Sequence, residues 1–141
     1  MMVSTRGRDA LRMMADLAVN QKDGYVALKD IAERQQISKK YLEQIIPLIN
    51  KAGLLTNTRG FQGGYRLAKL PEEYTVGEIL RAAEGSTAPV SCLETPENTC
   101  IRCGECVTLP VWKGLRKVVD EYLDGINLQT VIEGSGNEDE I

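Results

Sequence analysis

Along the first fifty residues the apolar positions recur at steps of three and four, the period of helices buried on one face. Residues 6–19 predict a first helix, with Ser4 or Thr5 as its N-cap. Its apolar set, Ala10, Leu11, Met13, Met14, Ala15, Leu17, Ala18 and Val19, is too broad for one covered face. Burial on several sides is expected, with a partner subunit as one candidate cover. Gln21 to Gly24 reads as a turn. A short helix over Leu28–Gln35 turns Leu28, Ile31 and Ala32 inward, and Gln36 and Ile37 make a tight connection. Ser38 then caps a third helix running to Lys51. Its apolar stripe is Leu42, Ile45, Ile46, Ile49 and Ala52, its opposite face Ser38, Lys39, Lys40, Glu43 and Gln44, and Gly53 suits the residue past its end. Pro47 removes one helical hydrogen bond, costs about 3 kcal/mol in a regular helix, and predicts a kink at residues 43–47 or an early end.

Over residues 54–68 the period changes. Leu54–Thr58 and Tyr65–Leu67 read as two short strands around a glycine-rich tip, the pattern of a hairpin. Pro71 to Tyr74 reads as a linker, and Thr75 caps a helix from Val76 to Glu84 closed by Gly85. Pro110 suits the first turn of a long helix to Asp124, on which Trp112, Leu115, Val119, Tyr122 and Ile126 alternate steps of three and four, the seam of a coiled-coil-like contact. Asn127 can cap a last short helix. The expected fold is mainly α with a small β-hairpin. A winged helix-turn-helix DNA-binding domain fills residues 1–85, with its recognition helix at 38–51 and its wing at 54–68. Residues 86–108 form a cysteine-rich loop, 109–133 a dimerisation helix with the short terminal helix, and 134–141 an acidic tail expected to be disordered.

Composition narrows the function. A chain of 141 residues with 43% hydrophobic residues can build one compact domain with a modest core. No apolar stretch is long enough to span a bilayer and none resembles a cleaved leader, so a cytoplasmic protein with no membrane role is expected. The absence of histidine excludes Ser-His-Asp and Cys-His catalysis and restricts a metal site to sulfur and oxygen ligands. Neither an enzyme nor a small-molecule substrate is expected. The net charge of −3 hides an asymmetry: residues 1–70 hold 12 Lys and Arg against 6 Asp and Glu, while residues 71–141 hold 5 against 14. A basic footprint need cover only a contacting face, although the same charges also suit an ordinary solvated surface.

The Ser38 helix opens with a polar, basic turn, which suits insertion into a major groove. Lys39 and Lys40 would neutralise phosphates, Glu43 would accept from a cytosine amino group, Gln44 would pair with adenine, and Tyr41 would touch backbone or a thymine methyl. A plain solvated helix face fits the same residues. At the hairpin tip, Arg59 beside Gly60 brings a cation where backbone can approach a nucleic acid closely. All four cysteines, Cys92, Cys100, Cys103 and Cys106, fall within fifteen residues. Their crowded spacing favours an iron–sulfur cluster over a four-cysteine zinc site, which more usually splits into two separated pairs, or a thiol–disulfide switch, which needs only two of the four.

The runs Ser4-Thr5-Arg6-Gly7-Arg8, Asp30-Ile31-Ala32-Glu33-Arg34, Tyr41-Leu42-Glu43-Gln44 and Arg59-Gly60, with Gly63-Gly64-Tyr65, resemble the bacterial winged-helix regulators of the IscR, NsrR and CymR type. The resemblance extends over nearly the whole chain up to the acidic tail. It implies a homodimeric transcription factor that binds a near-palindromic operator in double-stranded DNA through heads joined by long crossing helices. In its cluster-bearing branch three loop cysteines bind an iron–sulfur cluster, 2Fe-2S or 4Fe-4S, whose state changes DNA affinity; the matching positions are Cys92, Cys106 and, between them, Cys100. The IscR-like histidine after the last cysteine is here Leu109, and the additional Cys103 could complete an all-cysteine site, with Asp9 or Glu43 as less favoured fourth ligands. The CymR-like branch lacks the three-cysteine loop.

Overall fold

The computed structural model describes residues 3–21, 24–58, 63–90, 93 and 107–134. Its first three helices are α1 (Thr5–Asn20), α2 (Leu28–Gln35) and α3 (Lys39–Lys51). Ser4 caps α1, and the Ser38 hydroxyl accepts the Tyr41 N–H at 2.9 Å to cap α3. Gln36 adopts the left-handed region with φ 54°, which turns the chain from α2 into α3 within three residues, Gln36 to Ser38. That sharp reversal sets the helix-turn-helix corner.

The breadth of the apolar face on α1 has an intramolecular explanation. Ala10, Met13, Met14 and Leu17 are buried, and α1 packs on α2, α3, α4, α6 and the hairpin of its own chain. No partner subunit is needed to cover it; Val19, at 57% exposure, is its open apolar position. Helix α3 runs unbroken through Pro47 to Lys51, so the helix does not end early there. Proline forfeits one hydrogen bond, whereas Ile49, beyond it, stays on the buried stripe of Leu42, Ile45 and Ile46 only if the helix continues.

Strands β1 (Leu55–Thr58) and β2 (Gly64–Leu67) pair antiparallel, from Leu55 opposite Leu67 to Thr58 opposite Gly64. Val26, just ahead of α2, adds an isolated antiparallel bridge by exchanging two 2.8 Å backbone hydrogen bonds with Tyr65. Gly64 permits this approach, because a Cβ there would strike the Val26 carbonyl.

Pro71 to Tyr74 is more than a linker. Pro71–Glu73 forms a 3-10 turn, and Tyr74 is among the largest fully buried side chains. Helix α4 (Val76–Glu84) follows, capped by Thr75 as its sequence indicates. Helix α5 (Leu109–Asp124) lies against α4, with Arg81 paired to Asp120 and Asp124. Asn127 caps α6 (Leu128–Gly134) by accepting the Thr130 N–H at 2.7 Å, and α6 returns to α1, burying Leu128. Gly134 thus closes a helix instead of opening the acidic tail; residues 135–141 lie outside the described residues. Among the described residues, no helix is long and apolar enough to cross a membrane.

Candidate nucleic-acid interface and cysteine segment

The polar face of α3 stands out from the core as its amphipathic pattern requires. Ser38, Lys39, Lys40, Glu43 and Gln44 are exposed and Tyr41 is half-buried, while the opposite stripe is sealed in the main apolar cluster. The structure therefore brings all six α3 candidates to one surface. Arg59 and Gly60 lie outside the described residues; β1 ends and β2 begins beside this surface. An open concavity there is lined by Lys29, Lys39, Glu43, Thr58 and Gly63 to Tyr65. It joins the beginning of α2, the polar face of α3 and the base of the wing.

Sequence patterning passed over a second flank. The first turns of α1 meet α3 along an open concavity of about 780 Å³ containing Thr5, Arg8, Asp9, Arg12, Ser38 and Tyr41. Arg8 and Arg12 are exposed, and Asp9 is buried beside Arg12 at 3.8 Å. The motif Ser4 to Arg8 was visible as a match to a family, yet no periodicity tells that its arginines end up against another helix.

Behind this face α2 is pinned to α1. The buried Asp16 carboxylate accepts two hydrogen bonds from Arg34, at 2.7 and 3.0 Å, and one from Gln35 at 2.9 Å. The Asp16 hydrogen bond holds the Arg34 guanidinium still more firmly in its charged form. A bidentate pair of this kind fixes how α2 lies against α1.

All four cysteines lie outside the described residues, so Cys92, Cys100, Cys103 and Cys106 have no geometry here. Among the described residues, no cluster of three or more histidine, cysteine or acidic side chains could hold a metal. Asp9 and Glu43, the remote carboxylates, sit on different flanks of α3. The ends of the cysteine segment are well tied. Thr87 is buried and donates to Asp120 of α5 at 2.9 Å, and Arg116 of α5 donates to the Leu93 carbonyl at 2.7 Å. Ala88, Leu93 and Leu109 form a satellite apolar cluster with Val90 and Trp112 packed on it. Residue 93, next to Cys92, and residue 109, close after Cys106, therefore meet on one small core.

Helix α5 differs from the predicted seam in phase. Leu115 and Tyr122 are exposed as that seam requires, but Trp112 packs inward on the satellite cluster, and Val119 and Ile126 are half-buried. The open stripe is Val111, Leu115, Val118 and Tyr122, between 43% and 68% exposed. Its steps of four, three and four keep the heptad character on a face rotated away from α4.

A family model described as "Iron-dependent Transcriptional regulator", under the family name Rrf2, matches residues 3–134. The chain belongs to the Rrf2 family. Protein rrf2 of Nitratidesulfovibrio vulgaris is 41% identical over 129 residues, 91% of this chain and 85% of that protein. A solved structure of CymR, described as the global cysteine regulator of B. subtilis, superposes with a TM-score of 0.79 at 32% identity, covering 96% of this chain and 98% of that one. IscR of T. potens superposes with a TM-score of 0.75 at 37% identity, covering 100% of this chain and 93% of the other. The six helices and the two-stranded hairpin are thus the winged-helix architecture of Rrf2 regulators. The protein is a transcriptional regulator, not an enzyme.

Proposed function

We propose that this Rrf2 regulator is a cytoplasmic homodimeric repressor that reads a near-palindromic operator in double-stranded DNA, with its affinity set by an iron–sulfur cluster in the cysteine segment. One observation carries the reading: both ends of that segment are anchored to α5, the same helix that presents an uncovered apolar stripe. Ordering the segment then bears directly on the helix proposed to join the two heads.

The donor set fits such a cluster by its chemistry. Four thiols and no imidazole give Cys92, Cys100 and Cys106 as ligands with Cys103 completing the set, since Leu109 cannot ligate. When bound, the cluster supplies an iron- and redox-responsive cross-link between thiolates. The chain's own residues do the rest. Arg116 holds the Leu93 carbonyl and Asp120 holds Thr87, so the entry to the segment moves with α5. Arg81 ties Asp120 and Asp124 to α4, which packs on both α1 and α3. A ligand shifts DNA affinity only by favouring one arrangement of the heads over another, and these contacts are the route by which it can.

A second reading, a thiol-based sensor without a cluster, is favoured by the likeness to CymR, whose described role concerns cysteine. A four-cysteine zinc site is the remaining alternative. Anaerobic purification with iron, zinc and sulfide analysis and a visible spectrum separates the three. Colour with stoichiometric sulfide supports the cluster, zinc without sulfide the zinc site, and neither the thiol switch. Equal operator affinity of the loaded and stripped proteins would remove the sensing role.

Contact roles on the DNA face divide in the same way. Arg59→Ala is expected to weaken binding to all duplexes alike, whereas Glu43→Ala should chiefly relax base preference, with discrimination at one base pair falling by about 1–3 kcal/mol. Selection from a randomised duplex pool reads this directly. An unchanged preference profile for Glu43→Ala would mean that its carboxylate is not at a base edge.

A further inference from the structure

The first turn of α1 is held by a side chain from the far end of α4. Glu84 Oε1 accepts the backbone N–H of Ser4 at 2.9 Å and that of Gly7 at 3.0 Å, and also the Ser4 hydroxyl. These N–H groups belong to a helix terminus with no helical partner for them, and a carboxylate at that end also meets the positive pole of the helix. The Ser4 side chain alone caps Gly7 at a slack 3.4 Å, so the carboxylate is the stronger acceptor. The Glu84 side chain is only 14% exposed. A Cβ at position 7 would collide with its Oε1, so glycine there and glutamate at 84 are fitted to each other.

What this contact holds is a rim of cations beside α3. Thr5 and Arg6 share an open concavity of about 630 Å³ with Tyr41, Gln44 and Leu48 of α3. Arg8 reaches the α3 cap from the same turn, and its guanidinium donates to the Thr5 hydroxyl at 3.3 Å. Arg12 is drawn toward Asp9, whereas Arg6 faces Glu84 Oε2 at a long 4.0 Å and is 47% exposed. An ion pair that long and that wet is easily exchanged for a phosphate. A cation row along the edge of a protruding helix meets backbone, not base edges.

We propose that the first turn of α1 is a second DNA-contacting element, in which Arg6 and Arg8 take backbone phosphates flanking the bases read by α3, and that Glu84 is the positioning residue that sets this turn against α3. The proposal rests on α3 being the DNA-reading helix.

The test measures dissociation constants across a potassium chloride series, using full-length protein and a duplex that the wild type selects from a randomised pool. Each lost phosphate contact flattens the dependence of log affinity on log salt by about 0.9. Arg6→Ala and Arg8→Ala each remove two contacts per dimer, so each should flatten it by about two units and weaken selected and scrambled duplexes by the same factor. Glu84→Ala should flatten it by about two to four units with base preference unchanged. Gly7→Ala should do likewise, and should add no further loss in a Glu84→Ala background, since both displace one carboxylate. Salt slopes equal to wild type in Arg6→Ala, Arg8→Ala and Glu84→Ala overturn the proposal. The two arginine variants are at exposed positions, so they keep the test standing even if Glu84→Ala unfolds. A wild type that enriches no duplex would instead overturn the assignment of α3 itself, and this proposal with it.

Discussion

Replacing Tyr74 with alanine should remove about 3–5 kcal/mol of stability, a large share of the margin that keeps a domain of this size folded. Its ring is fully buried in the main core. Its hydroxyl donates to the Leu54 carbonyl and accepts the backbone N–H groups of Ala68 and Lys69, at 2.9 and 3.3 Å. Its own carbonyl accepts the Leu128 N–H at 3.0 Å, and Lys69 lies over the ring at 4.8 Å. One residue therefore ties the wing, α4 and α6 together. Tyr74→Phe keeps the ring and leaves the Leu54 carbonyl and two N–H groups without that partner, so a smaller loss of about 1–3 kcal/mol is expected. Burial raises the phenol above its ordinary pKa. Its contribution is therefore fully present below the ordinary tyrosine value of about 10 and is lost only as pH rises beyond it. Urea unfolding followed by circular dichroism gives both numbers. A loss under about 1 kcal/mol for Tyr74→Ala would show that the three elements are held by other contacts.

Most of the fold was readable because each helix carries its own punctuation. Ser4, Ser38, Thr75 and Asn127 cap where short polar residues precede apolar periods, and Gly53 and Gly85 take positive φ where the helices stop. Tyr74 was not readable. A single buried residue after Leu-Pro-Glu-Glu has no period, and its hydrogen-bond partners lie in a hairpin whose position only tertiary packing fixes. Glu84 is a harder case still, capping a helix that begins 80 residues earlier. The α3 face came through intact because amphipathicity decides which side of a helix points outward. On α5 the same signal was ambiguous: Trp112, Leu115, Val119 and Tyr122 share the helix with Val111 and Val118, and two stripes of similar spacing are possible. Packing of Leu109 and Trp112 on Ala88 and Leu93, together with the ion pairs of Asp120 and Asp124, turns one of them inward. The cysteines were legible as a donor set from spacing alone, but spacing does not say which three or four share one site.

Val118→Glu should leave a folded monomer that no longer holds an operator. Val118 is 63% exposed at the middle of the stripe that also contains Val111, Leu115 and Tyr122, so a carboxylate there meets water in the single chain and disturbs no intramolecular contact. In the proposed two-fold dimer, joined along this stripe, the two copies of the side chain would face one another, and two apposed carboxylates in an apolar seam must be desolvated together. A monomer contacts one half-site and loses the gain of a second, tethered contact, so operator affinity should fall by about a hundredfold or more. Analytical ultracentrifugation checks the mass, circular dichroism the fold, and anisotropy the affinity. Val119→Glu is the matched control, since Val119 is half-buried and lies off the open stripe: it should cost stability while leaving that stripe uncharged. If Val118→Glu remains a dimer while Val119→Glu dissociates, the subunits meet on the inward-turned stripe, and α5 must rotate off α4 when they assemble.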